Sequence, residues 1–195
     1  MNLRSPKGLA PEGAGLLLII LVLPLVGAAI AATLLWPGVT RFPAGPWRFV
    51  GVVWLALGVL FWALSLRSFL PGFRLGELVT SGTFAWCRHP IYASLLMFWL
   101  PAVGLLVGTW TFYIAAAIGW PLALIAVRRE ESELARLFGE QWNAYAARTT
   151  ALLPLPPKAN AGRVPVIILW LGFALLLLYT VLLQALHPGA AVGSH

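Results

Sequence analysis

The 37 residues from Ile91 to Val127 contain no Asp, Glu, Lys or Arg. That run constrains the chain more than any other feature. About 20 apolar residues, each adding about 1.5 Å of helix, cross a hydrocarbon core roughly 30 Å thick. The run is too long for one span, so it has to fold back. Gly104, Gly108 and the polar Thr109 and Thr111 interrupt it near the middle. A tight helical hairpin with both ends on one side of the membrane is the economical solution.

Three further apolar stretches approach a membrane span: Gly15 to Trp36, Trp47 to Leu66 and Val164 to Leu186. With 61% hydrophobic residues, 10% charged residues and a mean hydropathy of +0.89, the chain lacks the charge to cover a soluble surface. The expected fold is all-α, a polytopic membrane bundle of about five transmembrane helices including the hairpin. Its organisation reads as a first transmembrane helix and external loop (1–46), a membrane core (47–157) and an additional C-terminal span with its tail (158–195). Arg4 and Lys7 before the first apolar run superficially resemble a signal peptide. The run is longer than a typical signal core and no small-x-small site follows cleanly, so a retained helix is expected.

The net charge of +7 does not point to nucleic acid, because the basic residues stand singly between apolar runs and form no stripe. They mark the cytoplasmic ends of helices instead. With the N-terminus in the cytosol, only Arg41 and Arg48 of the 13 basic residues fall outside. This orientation suits the inner membrane of a bacterium, and all six glutamates then lie on the cytosolic side. Trp36, Trp47, Trp86 and Trp110 lie near the predicted boundaries, where indole rings favour the interface. Cys87 is the single cysteine, and His89, His187 and His195 are too dispersed for a zinc site. No metal is expected.

Two polar clusters flank the hairpin. The first runs Leu78-Val79-Thr80-Ser81-Gly82-Thr83-Phe84-Ala85-Trp86-Cys87-Arg88-His89-Pro90-Ile91-Tyr92. Ser81-Gly82 is a turn signal, and Pro90 suits the first position of a helix, which places His89 at its N-cap. The second is Arg128-Arg129-Glu130-Glu131. If the hairpin ends emerge together, the clusters face one another. Carboxylates at that depth are costly unless paired or bound to a cation, and Arg128 and Arg129 could simply neutralise them. From Arg128 to Ala147, Leu134, Leu137, Phe138, Trp142 and Tyr145 recur at spacings of three and four. This predicts an amphipathic helix emerging from the membrane, with Gly139 as a weak point.

The ordered set Leu-Val-Thr-Ser-Gly, Arg88-His89-Pro90-x-Tyr92, an apolar hairpin, Glu130-Glu131-x-x-Leu134, Phe138-Gly139, Tyr145 and Leu153-Pro154 resembles the isoprenylcysteine carboxyl methyltransferase family. It is similar, more loosely, to the phospholipid N-methyltransferases. The resemblance covers roughly Trp47 to Pro154 and implies a membrane-embedded enzyme using S-adenosylmethionine. It implies cofactor contacts from Leu78, Val79, Phe84, His89, Pro90, Ile91, Tyr92 and Glu130, and a catalytic setting from Arg128, Arg129 and Glu131.

The chemistry agrees with these assignments. Carboxylates, an imidazole and aromatic faces complement a sulfonium, an amine and an adenine. Methyl transfer is a direct displacement that mainly requires alignment and exclusion of water. A pocket between membrane and cytosol would admit the cofactor from water and a small lipophilic or lipid acceptor from the bilayer.

The chain departs from the family in three places. Ala126 stands where a substrate-carboxylate arginine is expected, Gly76 where a histidine occurs, and Ser94 where a glycine is common. Arg128 and Arg129 lie on a different helix face from that missing arginine, so an anionic prenylcysteine substrate is not implied. The competing readings are an NADPH-dependent relative of sterol-type reductases and a non-enzymatic membrane scaffold.

Overall fold

The structure, a computed structural model, describes residues 14–42, 44–45 and 47–155. The tail with Arg4 and Lys7 and the predicted span from Val164 to Leu186 lie outside the described residues. Within them the chain is helical and forms no extended strand. We number α1 Ala14–Leu35, α2 Trp47–Leu75, α3 Pro90–Val107, α4 Thr111–Phe138 and α5 Glu140–Ala146. Three of them, α2, α3 and α4, are long and apolar enough to cross a membrane.

The apolar run does fold into a hairpin, α3 and α4, turning at Gly108–Trp110. Gly108 caps α3 at φ 72°, in the left-handed region open to glycine. A Cβ there would also meet the Phe42 carbonyl oxygen at 2.7 Å. The linker between α1 and α2 docks on this turn: Phe42 N–H donates to the Gly108 carbonyl at 2.8 Å, and Trp110 N–H donates to the Thr40 carbonyl at 3.0 Å. Below it the hydroxyls of Thr33, Thr109 and Thr111 contact one another at 2.7, 3.1 and 3.2 Å, all buried. Thr33 and Thr109 also donate to the carbonyls of Ala29 at 2.8 Å and Thr40 at 3.0 Å, so the trio and two backbone carbonyls together hold this polarity inside an apolar bundle.

α1 packs chiefly along α4, and α2 along α3. The core between them is built from Val22, Leu96, Leu100, Phe112, Ala115 and Ala123 with their neighbours. One packing contact follows directly from sequence. Pro101 has no N–H, so the Met97 carbonyl one turn earlier lacks its helical donor. The helix loosens into i→i+5 bonding over Ser94–Trp99, and Trp54 of α2 donates its indole N–H to Met97 at 2.9 Å. Leaving that carbonyl unmet would cost about 1–3 kcal/mol.

Two boundaries differ from the sequence reading. α2 does not stop near Leu66 but continues to Leu75 through Pro71, because its last turns have a loop to pack against. Ser68, Phe69 and Gly72 carry residues 79–84: Phe69 stacks on Phe84 at 6.1 Å, and Val79 packs directly on Gly72. The predicted amphipathic helix from Arg128 to Ala147 forms in two pieces. Residues 128–138 continue α4 without a break, and Gly139, at φ 53°, turns the chain into α5. The apolar stripe splits accordingly: Trp142 and Tyr145 are buried while Leu137 is exposed.

Candidate functional site

Register along the hairpin builds the site. Along its own arm, at about 1.5 Å per residue, Tyr92 lies roughly 25 Å from the turn and Glu130 roughly 30 Å. They therefore arrive within about one helical turn of each other, close enough for the Tyr92 phenol to reach Glu130. α2 and α4 outlast α3 by about ten residues, roughly 15 Å, and wall the space beyond Pro90.

His89 is the N-cap of α3, with Pro90 first in the helix and Tyr92 buried on its first turn. The two rings lie nearly parallel, 9° apart with centroids at 5.4 Å. His89 stands between the two carboxylates: Nε2 lies 3.2 Å from Glu131 Oε1 and Nδ1 lies 3.5 Å from Glu130 Oε2. Tyr92 donates its phenol to Glu130 Oε2 at 3.1 Å. Arg88 donates through Nε to Glu131 Oε1 at 2.7 Å and through Nη2 to Oε2 at 3.3 Å, a forked pair.

The two glutamates are therefore unequal. Glu131 is held on both oxygens and its side chain is 22% exposed. The described contacts of Glu130 all go to Oε2, and its side chain is 32% exposed. Glu130 Oε1 makes none of the described contacts.

Of the residues singled out in the sequence, the structure brings His89, Pro90, Tyr92, Glu130 and Glu131 together. Ile91 is half-buried on the same first turn, packed against the core. Phe84 is buried in a one-turn helix, Gly82–Ala85, and Leu78 and Val79 are half-buried in the loop leading to it. Arg128 and Arg129 are exposed on α4, and the cation that meets the carboxylates is Arg88. Sequence reasoning quoted Arg88 within a motif and gave it no role. It also missed Thr83, whose hydroxyl is buried beside Phe84 with no partner among the described residues. No local pattern marks either residue, since each depends on groups far along the chain.

Cys87 is fully buried, and burial pushes its thiol up to about 12, so it stays protonated and unreactive. Tyr145, whose phenol burial also pushes up, donates to the Phe84 carbonyl at 2.8 Å. Among the described residues no group of His, Cys, Asp and Glu could hold a metal ion.

Part of the chain is similar to known proteins. Residues 45–136 match the description "Isoprenylcysteine carboxyl methyltransferase (ICMT) family". The chain is 34% identical over 108 residues to the nickel-cobalt-cadmium resistance protein NccN of Alcaligenes xylosoxydans xylosoxydans, covering 54% of this chain and 47% of that one. It is likewise 34% identical over 108 residues to the cobalt-zinc-cadmium resistance protein CzcN of Cupriavidus metallidurans, covering 54% and 46%. To the protein-S-isoprenylcysteine O-methyltransferase of Rattus norvegicus it is 32% identical over 85 residues, covering 44% and 30%. The chain spans less than half the length of each of these relatives. No solved structure matches it significantly. The matched segment holds the helical hairpin, the His89–Tyr92 turn and both carboxylates, and over these residues the chain is similar to the isoprenylcysteine carboxyl methyltransferase family.

Proposed function

We propose that the protein is an integral membrane methyltransferase that uses S-adenosylmethionine and methylates a small lipophilic acceptor drawn from the bilayer. The observation that carries this reading is the meeting of His89, Tyr92 and Glu130 at the mouth of the hairpin, with one Glu130 oxygen making none of the described contacts. The residues fit the cofactor. A carboxylate and stacked aromatic faces suit a cationic sulfonium and amine, and Phe84 with the Leu78–Val79 loop offers an apolar wall for a heterocycle. The orphaned Thr83 hydroxyl is a further polar group available to it. The cofactor supplies an activated methyl group.

The chain's own task is to hold that group and exclude water, which the crowding of α2, α4 and the loop over α3 serves. Glu130 and Tyr92 bind and orient, while His89, fixed between the glutamates, keeps both carboxylates in place. Should the acceptor be an amine, a carboxylate or the imidazole of this cluster could take up the proton it has to lose. Arg128 and Arg129 are read as charges at the rim of the site. We place this end of the bundle in the cytosol, because seven arginines between Arg67 and Arg148 gather there against Arg41 and Arg48 at the other end.

Titration calorimetry of the detergent-solubilised protein with S-adenosylmethionine, and in parallel with NADPH, tests the reading. Binding of the first and not the second is expected, and the reverse result sinks it. Incubating the protein with lipid extract and radiolabelled methyl donor would then identify the acceptor.

A further inference from the structure

Arg88 joins three parts of the chain that are distant in sequence. Its forked pair with Glu131 reaches α4. Its Nη1 donates to the carbonyls of Ala146 at 3.0 Å and Thr149 at 2.5 Å, at the end of α5 and just beyond it. Its backbone N–H donates to Thr150 at 2.9 Å, and the next residue, His89, donates to Ala151 at 3.0 Å. Further along, Leu155 N–H donates to the Trp86 carbonyl at 3.1 Å. Residues 146–155 thus form a strap across the loop that carries His89, and this strap lies wholly after the family match, which ends at residue 136. The Arg88 side chain is 13% exposed, so these bonds are made largely out of water.

One oxygen couples this clamp to the site. Glu131 Oε1 accepts from Arg88 Nε at 2.7 Å and faces His89 Nε2 at 3.2 Å. Glu130 Oε2 faces the other nitrogen, Nδ1, at the longer distance of 3.5 Å and already accepts from Tyr92. Fixing the nearer Glu131 oxygen therefore biases the imidazole proton toward Nε2 and sets how the ring is turned. A guanidinium can direct donors along the fork to both carboxylate oxygens while also meeting two carbonyls. An ammonium at the same place is a point charge and cannot do both.

We propose that Arg88 is a positioning residue, which through Glu131 sets the tautomer and ring orientation of His89 and holds the 146–155 strap closed over the site. This rests on the reading of His89 as part of the methyl-donor site. The clamp itself is tested without any ligand.

The protein has three histidines, so nitrogen-15 histidine labelling gives a short spectrum in which the signal lost in His89→Ala belongs to His89. At about pH 8, where an imidazole is ordinarily neutral, the wild type is expected to hold a single tautomer with the proton on Nε2. Arg88→Lys is expected to give an average of both tautomers. The amide protons of Arg88 and His89 should exchange at least about tenfold faster in that variant as the strap loosens. If Arg88→Lys does not fold, Glu131→Gln, which removes the charge from the other side of the same pair, should show the same loss of a single tautomer. A folded Arg88→Lys or Glu131→Gln protein with the wild-type tautomer and unchanged exchange overturns the proposal.

Binding then separates positioning from general stability. Arg88→Lys and Glu131→Gln should each weaken S-adenosylmethionine by roughly tenfold, and the double variant by no more than either alone. Additive losses would overturn the claim that Arg88 acts through Glu131. A wild-type protein that binds no methyl donor would defeat the proposed function and leave the tautomer and exchange results to judge the clamp separately.

Discussion

At the turn end of the bundle, Thr33, Thr109 and Thr111 close a buried ring of hydroxyls, and the α1–α2 linker is stitched to the hairpin turn by backbone hydrogen bonds. At the far end, Arg88, His89 and Tyr92 meet Glu130 and Glu131, and the carboxylate side chains stay between a fifth and a third exposed. Both ends solve the same problem, polar groups against an apolar bundle, with opposite means. Hydroxyls donate and accept, so Thr33 and Thr109 can donate to the Ala29 and Thr40 carbonyls while contacting Thr111, and the trio can be sealed in. A carboxylate only accepts, and two of them side by side need more positive charge and more donors than one arginine supplies. The shortfall falls on Glu130, whose described contacts all go to one oxygen.

If this contrast is right, substitutions at the turn end change stability and leave methyl-donor affinity alone, while substitutions at the charged end do the reverse. The largest effect is expected at Gly108. Alanine there combines an unfavourable positive φ with a contact to the Phe42 carbonyl, costing about 3 kcal/mol of stability. Thermal unfolding in detergent reads this, and an unchanged midpoint would show that the turn is not tightly packed. His89→Ala and Glu130→Gln come next. Each is expected to weaken S-adenosylmethionine roughly 30-fold, about 2 kcal/mol, with little change in unfolding. Wild-type affinity in both would reduce this end to caps and interface charges.

Thr111→Val should cost about 1 kcal/mol of stability with no change in affinity; weakened binding would blur the division between the two ends. The smallest effect is at Cys87. With its thiol pushed up to about 12 by burial, it should resist maleimide at about pH 8 until the protein unfolds. Cys87→Ser should keep full methyl-donor affinity, and rapid labelling of the native protein would contradict the packing described.

The hairpin was readable in the sequence because an uncharged run of that length has one inexpensive arrangement in a bilayer. The His89 cap and the Pro90 helix start were readable for a similar reason, since proline chemistry is local. The end of α2 was not. Past Leu66 the apolar pattern weakens, and what keeps the helix going to Leu75 is a loop that returns to pack on Phe69 and Gly72. The split at Gly139 was signalled only as a cost to helix propensity; the burial of Trp142 and of Tyr145, which donates to the Phe84 carbonyl, goes with the turn made there.

The amino-acid order alone thus determined the membrane-embedded helical class, the hairpin and the approach of the two polar clusters, because length, hydropathy and the rise of a helix fix which residues share a level. Which cation serves which carboxylate was left to the tertiary structure. Arg128 and Arg129 adjoin the glutamates in sequence, yet Arg88 holds Glu131 from more than forty residues away. Neighbours along a helix point to different faces, and ion pairing follows distance in space.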